Sequence, residues 1–429
     1  MSSLPDRSGG SRSVARSVAH PSVFLALYLP FGIANGYVIV TLAYLLPLRG
    51  LSISQVAGII ALFYLPQTWK VLWAPIVDTT LSIRLWYLLG TVTTGALIVA
   101  MALVPARASQ LWLLYGLVFV TSLALSIVGM ATENLMAHST SAQQKGRAGG
   151  WCQAGGLGGQ GLGGGAGLWL SQHVSVWSGG AVLALVCLLC CAVLWAVPAE
   201  HELARQEQSQ SLGLGARLAD AARDVWSVAR SRAGFLAGLL LFMPLGTGAA
   251  SNLWSAIAGD WHANADTVAL VNGLLSGLIT AGGCLVGGYL FDLMNRKAGY
   301  LLSGWALAAC AVAMGLTPRT PTTFVIFVSL YGFFTGWVYA AFTALALETI
   351  GTGAAATKYN VLACLANIPL TYMTLVDGAT HTHFGPAAML FIEAGIAVLA
   401  SLFFGSVAMA SRRRPAGTTL HAGGAGGVP

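Results

Sequence analysis

The chain has 429 residues, 56% of them hydrophobic and only 8% charged, with a net charge of +7. A soluble domain averages about 25% charged residues, so this composition excludes a soluble enzyme or a soluble binding module. In a membrane protein such a positive charge reports topology and anionic lipid, not nucleic acid.

About 20 apolar residues span a bilayer, and twelve such runs follow one another along the chain. The first six lie near 22–48, 55–77, 86–104, 111–134, 148–170 and 178–197. The second six lie near 233–256, 267–291, 298–316, 323–347, 357–380 and 386–410. They predict an all-α integral membrane protein with a tail over 1–21, a linker over 199–232 and a Gly-rich tail over 411–429. The first run is longer than the apolar core of a signal peptide and lacks a small-residue cleavage site. The linker segment ARLADAARDVWSVAR reads as an amphipathic helix lying on the membrane surface.

The second run carries Lys70 within FYLPQTWKVLWAPIVD, the one lysine or arginine inside a long apolar stretch. A cation in a membrane interior is costly and marks a functional site by default. It reads as an anion site or charge relay in a solute pathway, or as a structural pair or a side chain that snorkels. Other polar and aromatic groups within spans are candidates to line that pathway: Asn35, Tyr37, Gln67, Gln153, Asn252, Trp254 and Asn367. The fifth run has glycines at 155, 159, 163 and 167, one helical face suited to backbone-to-backbone packing. Its GLGGQG lies inside an apolar helix and not after a strand, which removes the nucleotide-binding reading.

All seven cysteines fall in predicted spans, so none belongs to an extracellular disulfide framework. The CLLCC run at 187–191 has no partner histidine or acid, and no metal or cofactor is expected. Asp377 and Glu393 sit in the last two spans, where an unpaired carboxylate is costly. They read as proton-coupling groups or as braces between helices. His381 and His383, with Asp377 one helical turn earlier, read first as exposed loop histidines, with metal binding or proton carriage as the alternative.

With the N-terminus cytoplasmic, seventeen of the 21 lysines and arginines fall on the cytoplasmic side and three opposite, Lys70 being the last. This obeys the positive-inside rule with both termini inside. The chain also repeats. Pro30 and Gly32 recur as Pro244 and Gly246, Asp78 as Asp292, and Glu133 as Glu348. Markers at one spacing imply two six-helix halves in parallel orientation, 22–198 and 233–410. That is the plan of a major facilitator transporter.

GGYLFDLMNRKAG (287–299) resembles the loop signature between the second and third helices of each major facilitator half. By that resemblance Asp292 and Arg296, with Glu348, belong to a cytoplasmic charge network that holds the outward-open state. Asp78, Arg84 and Glu133 are the counterparts in the first half. LPQTWKVLWAPIVD, ATENLMAHS and the Gly-rich fifth run look like the muropeptide-permease and acetyl-CoA-transporter branch, which includes single-protein siderophore importers. The resemblance implies a monomeric secondary transporter of the inner membrane, moving an organic solute with protons as the coupling ion. An anionic solute is one reading of Lys70, and siderophore import is the second reading of the substrate. From another class, a membrane acyltransferase using His138 or His173, or a sensor that has lost transport, would keep the same composition. No His/Asp or Ser/His constellation stands at convincing spacing for the enzyme.

The basic asymmetry makes a direct prediction. A cysteine placed at Ser209 in the linker is expected to resist an impermeant thiol reagent added from outside intact cells. Labelling from outside would invert the topology.

Overall fold

The computed structural model describes residues 19–72, 76–77, 80–104, 110–140, 144–198, 231–350 and 355–413, with scattered residues between 215 and 230. Twelve helical passes follow in order. The first half comprises α1 (Val23–Leu48), α2 (Ile53–Tyr64, continued by tighter turns Leu65–Thr68 and Lys70–Leu72) and α3 (Ile83–Leu103). It continues with α4 (Leu111–Ser139), α5 (Lys145–Gly161, Leu162–Ala166 and Gly167–His173) and α6 (Val176–Ala192). The second half holds α7 (Arg232–Phe242, then short turns from Ala249 to Trp261), α8 (Ala265–Phe291) and α9 (Arg296–Leu316). It ends with α10 (Pro321–Ile350), α11 (Ala355–Phe384) and α12 (Pro386–Arg413). Among the described residues nine of these helices are long and apolar enough to cross a membrane. The other three are α2, α5 and α7, which unwind or are rich in glycine.

Local chemistry sets the helix starts. Ser52 and Gln55 form a reciprocal capping box at α2, and Ser82, Ser175, Ser231 and Asn295 cap α3, α6, α7 and α9. The linker lies mostly outside the described residues. Those described within it are helical, and the Arg230 guanidinium lies 5.4 Å from the Trp226 ring centre.

Within the first half α1 packs on α5, and α3 packs on α4 and α6. Within the second, α8 packs on α10, and α9 on α10 and α12. The halves meet where α2 lies on α11, α5 on α8, and α1 on the far end of α7.

Glycine makes the α1–α5 seam. A Cβ at Gly155, Gly159 or Gly163 would lie 2.1, 2.3 or 1.9 Å from the carbonyl oxygens of Leu25, Leu29 or Ile33. On the α1 side, Cβ atoms at Gly32 and Gly36 would collide with Gly156 and Gln160 carbonyls at 2.0 and 2.1 Å. Backbones that close cannot accept any side chain, and dispersion between them replaces the missing hydrophobic drive in lipid. Thr41 Oγ1 donates to the Gly163 carbonyl at 2.8 Å, across two helices that both contain a wider π turn here. This every-fourth-residue face is therefore fixed packing inside one half. A different face of α5, Gly161 and Gly165, meets Gly273 and Leu274 of α8 across the interface between halves.

The repeated Pro–x–Gly is not used alike. Pro30 stays within continuous α1, whereas after Phe242 the chain around Pro244 leaves the helix and bends through Gly246 at φ 68° and Gly248 at φ 65°. Left-handed backbone of this kind favours glycine.

Gly163→Ala is expected to lower stability by about 1–3 kcal/mol through overpacking against Ile33. Gly158→Ala, which meets nothing within 4 Å, should stay within about 0.5 kcal/mol. Thermal unfolding of the two purified variants in detergent checks the difference.

Candidate functional site

Two groups of polar side chains lie inside the fold, one between the halves and one within the second half. The first begins where α2 unwinds. Pro66 has no N–H to offer and sits in the first turn of the tighter segment, which turns the chain before Lys70. Asn367 Nδ2 of α11 lies 3.5 Å from the Gln67 carbonyl oxygen, joining the halves at this level. Tyr64 lies near Asn35 and Tyr339. Tyr28, stacked on Phe31 at 4.8 Å, lies near Glu133, Cys152 and Tyr359. Cys364 of α11 is close to both Lys70 and Glu133. A cation from α2 and an anion from α4 thus flank one stretch of α11, and both are half-buried. Neither makes an ion pair among the described residues.

The expected pathway residues therefore divide. Lys70, Gln67, Asn35 and Asn367 gather here. Gln153 is exposed one turn before Leu157, which packs on Gly277 of the opposite half. Tyr37 is fully buried in the α1 core with its hydroxyl unpartnered. Asn252 and Trp254 lie deeper, in the second group.

That second group is built on the break in α7. The N–H of Ala250, freed as the chain re-enters a helical turn, donates to Glu393 Oε1 of α12 at 3.2 Å. The Tyr331 hydroxyl of α10 donates to the same oxygen at 2.8 Å. Trp254 stands edge-on to the Tyr331 ring at 5.2 Å, and Asn252 Nδ2 donates to Thr374 Oγ1 of α11 at 2.9 Å. Glu393 Oε2 has no partner, and neither oxygen of Asp377, 0% exposed, has one. Asp377 interacts electrostatically with both Glu393 and Tyr331. A small pocket of about 10 Å³, lined by Pro244, Thr247, Gly304, Tyr331 and Glu393, lies beside Glu393. Among the described residues no cation reaches either carboxyl. Two unpaired buried carboxylates would be very costly.

The gate residues are less gathered. Asp78 and the Asp292 side chain lie outside what is described. Arg84 donates to the Val197 carbonyl and Arg296 to the Phe291 carbonyl, each holding a helix end. Glu348 is exposed. Glu133 turns toward Tyr28 and Cys364 and forms no ion pair with Arg84. The loop reading of His381 is corrected. It sits in the last turn of α11, and its Nε2 pairs with Asp260 Oδ2 at 2.7 Å. Sequence reasoning also missed Tyr28, Tyr64, Tyr331 and Asp260. The signal available for Asp260 was a lone acid closing an apolar run.

The family model described as Major Facilitator Superfamily matches residues 24–250, more than half of the chain. Among solved structures the chain is similar to a POT family transporter in complex with a thioalcohol-conjugated peptide. That match has TM-score 0.68 and 10% identity, covering 91% of this chain and 96% of that one. It is similar to a D-xylose-proton symporter, with TM-score 0.67 and 15% identity over 90% and 96% of the two chains. The inward-open xylose transporter XylE from E. coli matches with TM-score 0.65 and 13% identity over 90% and 94%. At these identities the likeness is one of fold.

Tyr331→Phe leaves Glu393 Oε1 with a single donor and is expected to cost about 1–3 kcal/mol. Glu393→Gln, a neutral isostere that still accepts from Ala250, should unfold at or above the wild-type temperature. A lower melting temperature for Glu393→Gln than for Tyr331→Phe would show that a charged Glu393 holds the α7 break.

Proposed function

Because the chain belongs to the Major Facilitator Superfamily, we propose that it is a secondary active transporter carrying an organic solute between its two halves by alternating access. Protons held at Asp377 and Glu393 are the coupling ions. The protein works as a monomer in the inner membrane with both termini cytoplasmic, the orientation that the distribution of lysine and arginine supports.

In that orientation the ties between the halves cluster toward the outside. Ser54 N–H donates to Thr382 Oγ1 at 2.9 Å, Gly378 of α11 abuts Ala57 of α2, and His173 lies 3.7 Å from Asp266. The half-exposed side chains Tyr28, Lys70, Glu133 and Tyr359 lie on the cytoplasmic side of these ties. This arrangement corresponds to an inward-facing state. The opposite state closes that side through the charge network of Asp78, Arg84, Asp292, Arg296 and Glu348, and the Gly165–Gly273 contact is the smooth pivot between α5 and α8.

Lys70 carries the reading. A half-buried ammonium with no ion-pair partner among the described residues, near tyrosines and at the seam of the two halves, is placed to meet an anionic group of the solute. A muropeptide-like solute fits the signature around Lys70, and its carboxylates supply that group. An iron-chelating siderophore is the second reading, favoured by the same cation and by the aromatic pair Tyr28 and Phe31.

Lys70→Gln is expected to lower uptake at least about tenfold, a loss of about 1.4 kcal/mol at the transport barrier, with the yield of folded protein unchanged. Lys70→Arg should recover only part, because a guanidinium is wider and differently shaped. Proteoliposomes with an imposed pH gradient, supplied with labelled anhydro-muropeptide or ferric siderophore, make the measurement. Wild-type uptake by folded Lys70→Gln protein would remove Lys70 from the mechanism.

A further inference from the structure

The carboxyl pair lies deep within the second half. Glu393 is seven residues into α12 and Asp377 seven residues before the end of α11, about 10 Å along each helix from the end away from the basic residues. On α11 the side chains facing α7 fall in one row. Thr374 accepts from Asn252, and His381, seven residues on, pairs with Asp260. Asp377 lies between them, three residues after Thr374 and four before His381, so it shares that face. The row is graded in exposure. The Asp260 side chain is 32% exposed and that of His381 11%, while Asp377 is 0% exposed.

Both ends of the missing link are open. His381 Nδ1 is buried and has no partner, and neither Asp377 oxygen has one. Residues four apart on a helix have Cβ atoms about 5–6 Å apart, the reach of a direct or water-bridged hydrogen bond. A histidine held at one nitrogen by a carboxylate, with its other nitrogen without a partner among the described residues and a second carboxyl one helical turn away, has the arrangement of a proton shuttle.

We infer that Asp260 and His381 form the proton uptake route to Asp377 and Glu393 from the membrane face away from the basic residues. This rests on the carboxyl pair being the coupling site. Asp260, protonated from solvent, gives its proton to the imidazole nitrogen facing it, while the nitrogen facing Asp377 gives its proton to the Asp377 carboxylate. One O–H and one N–H bond break and one of each forms, so the ring stays neutral and changes tautomer. Proton exchange with water, which removes the Nε2 proton and returns one to Nδ1, restores the first tautomer. From Asp377 the proton is shared with Glu393, whose other oxygen is held by Tyr331 and Ala250.

The surroundings leave His381 to this task. The end of α7 presents Asp260, with His262 exposed beyond it, and the start of α2 presents Ser54 and Ala57, which carry no charge. From the turn before α10, Arg319 lies over the Trp261 ring at 6.0 Å. His383, on the same helix, is exposed.

The test is time-resolved infrared spectroscopy of the full-length protein after an acid jump, reading the C=O stretch of protonated buried carboxyls. Asp377→Asn and Glu393→Gln should each remove part of that band, which assigns it. In His381→Gln the band should reach its wild-type amplitude but rise at least about tenfold more slowly, and free imidazole should restore the rate in His381→Ala. A brace without a proton role would change amplitude or stability and leave the rate alone. If the His381 variants do not fold, Asp260→Asn carries the same expectation of a slow rise to full amplitude. A wild-type rise rate in either folded variant overturns the relay while leaving the carboxyl pair. Absence of any acid-dependent band in the wild type overturns the pair and the relay with it.

Discussion

A bilayer interior has no water to satisfy a bare amide, and the break in α7 exists only because Glu393 meets that demand. Once the helix stops at Phe242 and bends through Gly246 and Gly248, the Ala250 N–H needs an acceptor. The carboxyl of Glu393 supplies it and is itself oriented by Tyr331. The rest of the second half follows from this contact. Trp254 is set against Tyr331, Asn252 against Thr374, and Asp260 comes within reach of His381. A polar group that braces the backbone also gathers the chemistry.

The first half reaches order by the opposite means. Where α7 is broken and polar, α1 runs unbroken and is pressed onto α5 along a glycine face, with Thr41 donating across it. Contact at backbone distance leaves no room for rearrangement, so that half is the stiffer body near its core. Its adaptable part is α2, whose unwinding after Tyr64 places Lys70 at the seam. The two halves thus share one architecture but carry different polar groups, a half-buried lysine in the first and a pair of buried carboxyls in the second.

Much of the fold was legible in the chain because lipid imposes length and periodicity on every span. All twelve passes fall where apolar runs predict them, with ends displaced by a few residues where caps such as Ser52 and Ser82 intervene. The site was legible by residue type only. Lys70, Asp377 and Glu393 stand out because charge in an apolar run is rare. Tyr331 does not stand out, since a tyrosine within a span reads as packing until its hydroxyl is seen to have a partner. His381 was misread for a related reason. Near a chain turn, a histidine looks like loop until helix α11 is seen to continue through it.

Composition, run length and charge placement by themselves determined the class of protein, the number of passes and the two-fold repeat, because each is a property summed along the chain. Tertiary structure decided what a one-dimensional reading cannot hold. It showed that the Gly155–Gly163 face is fixed packing while Gly161 and Gly165 meet the other half. It showed that Glu133 lies near Tyr28 and Cys364, and that Asp260, 121 residues from His381, is its partner. Helical phase places a side chain on a face, but which neighbour that face meets depends on how distant helices pack.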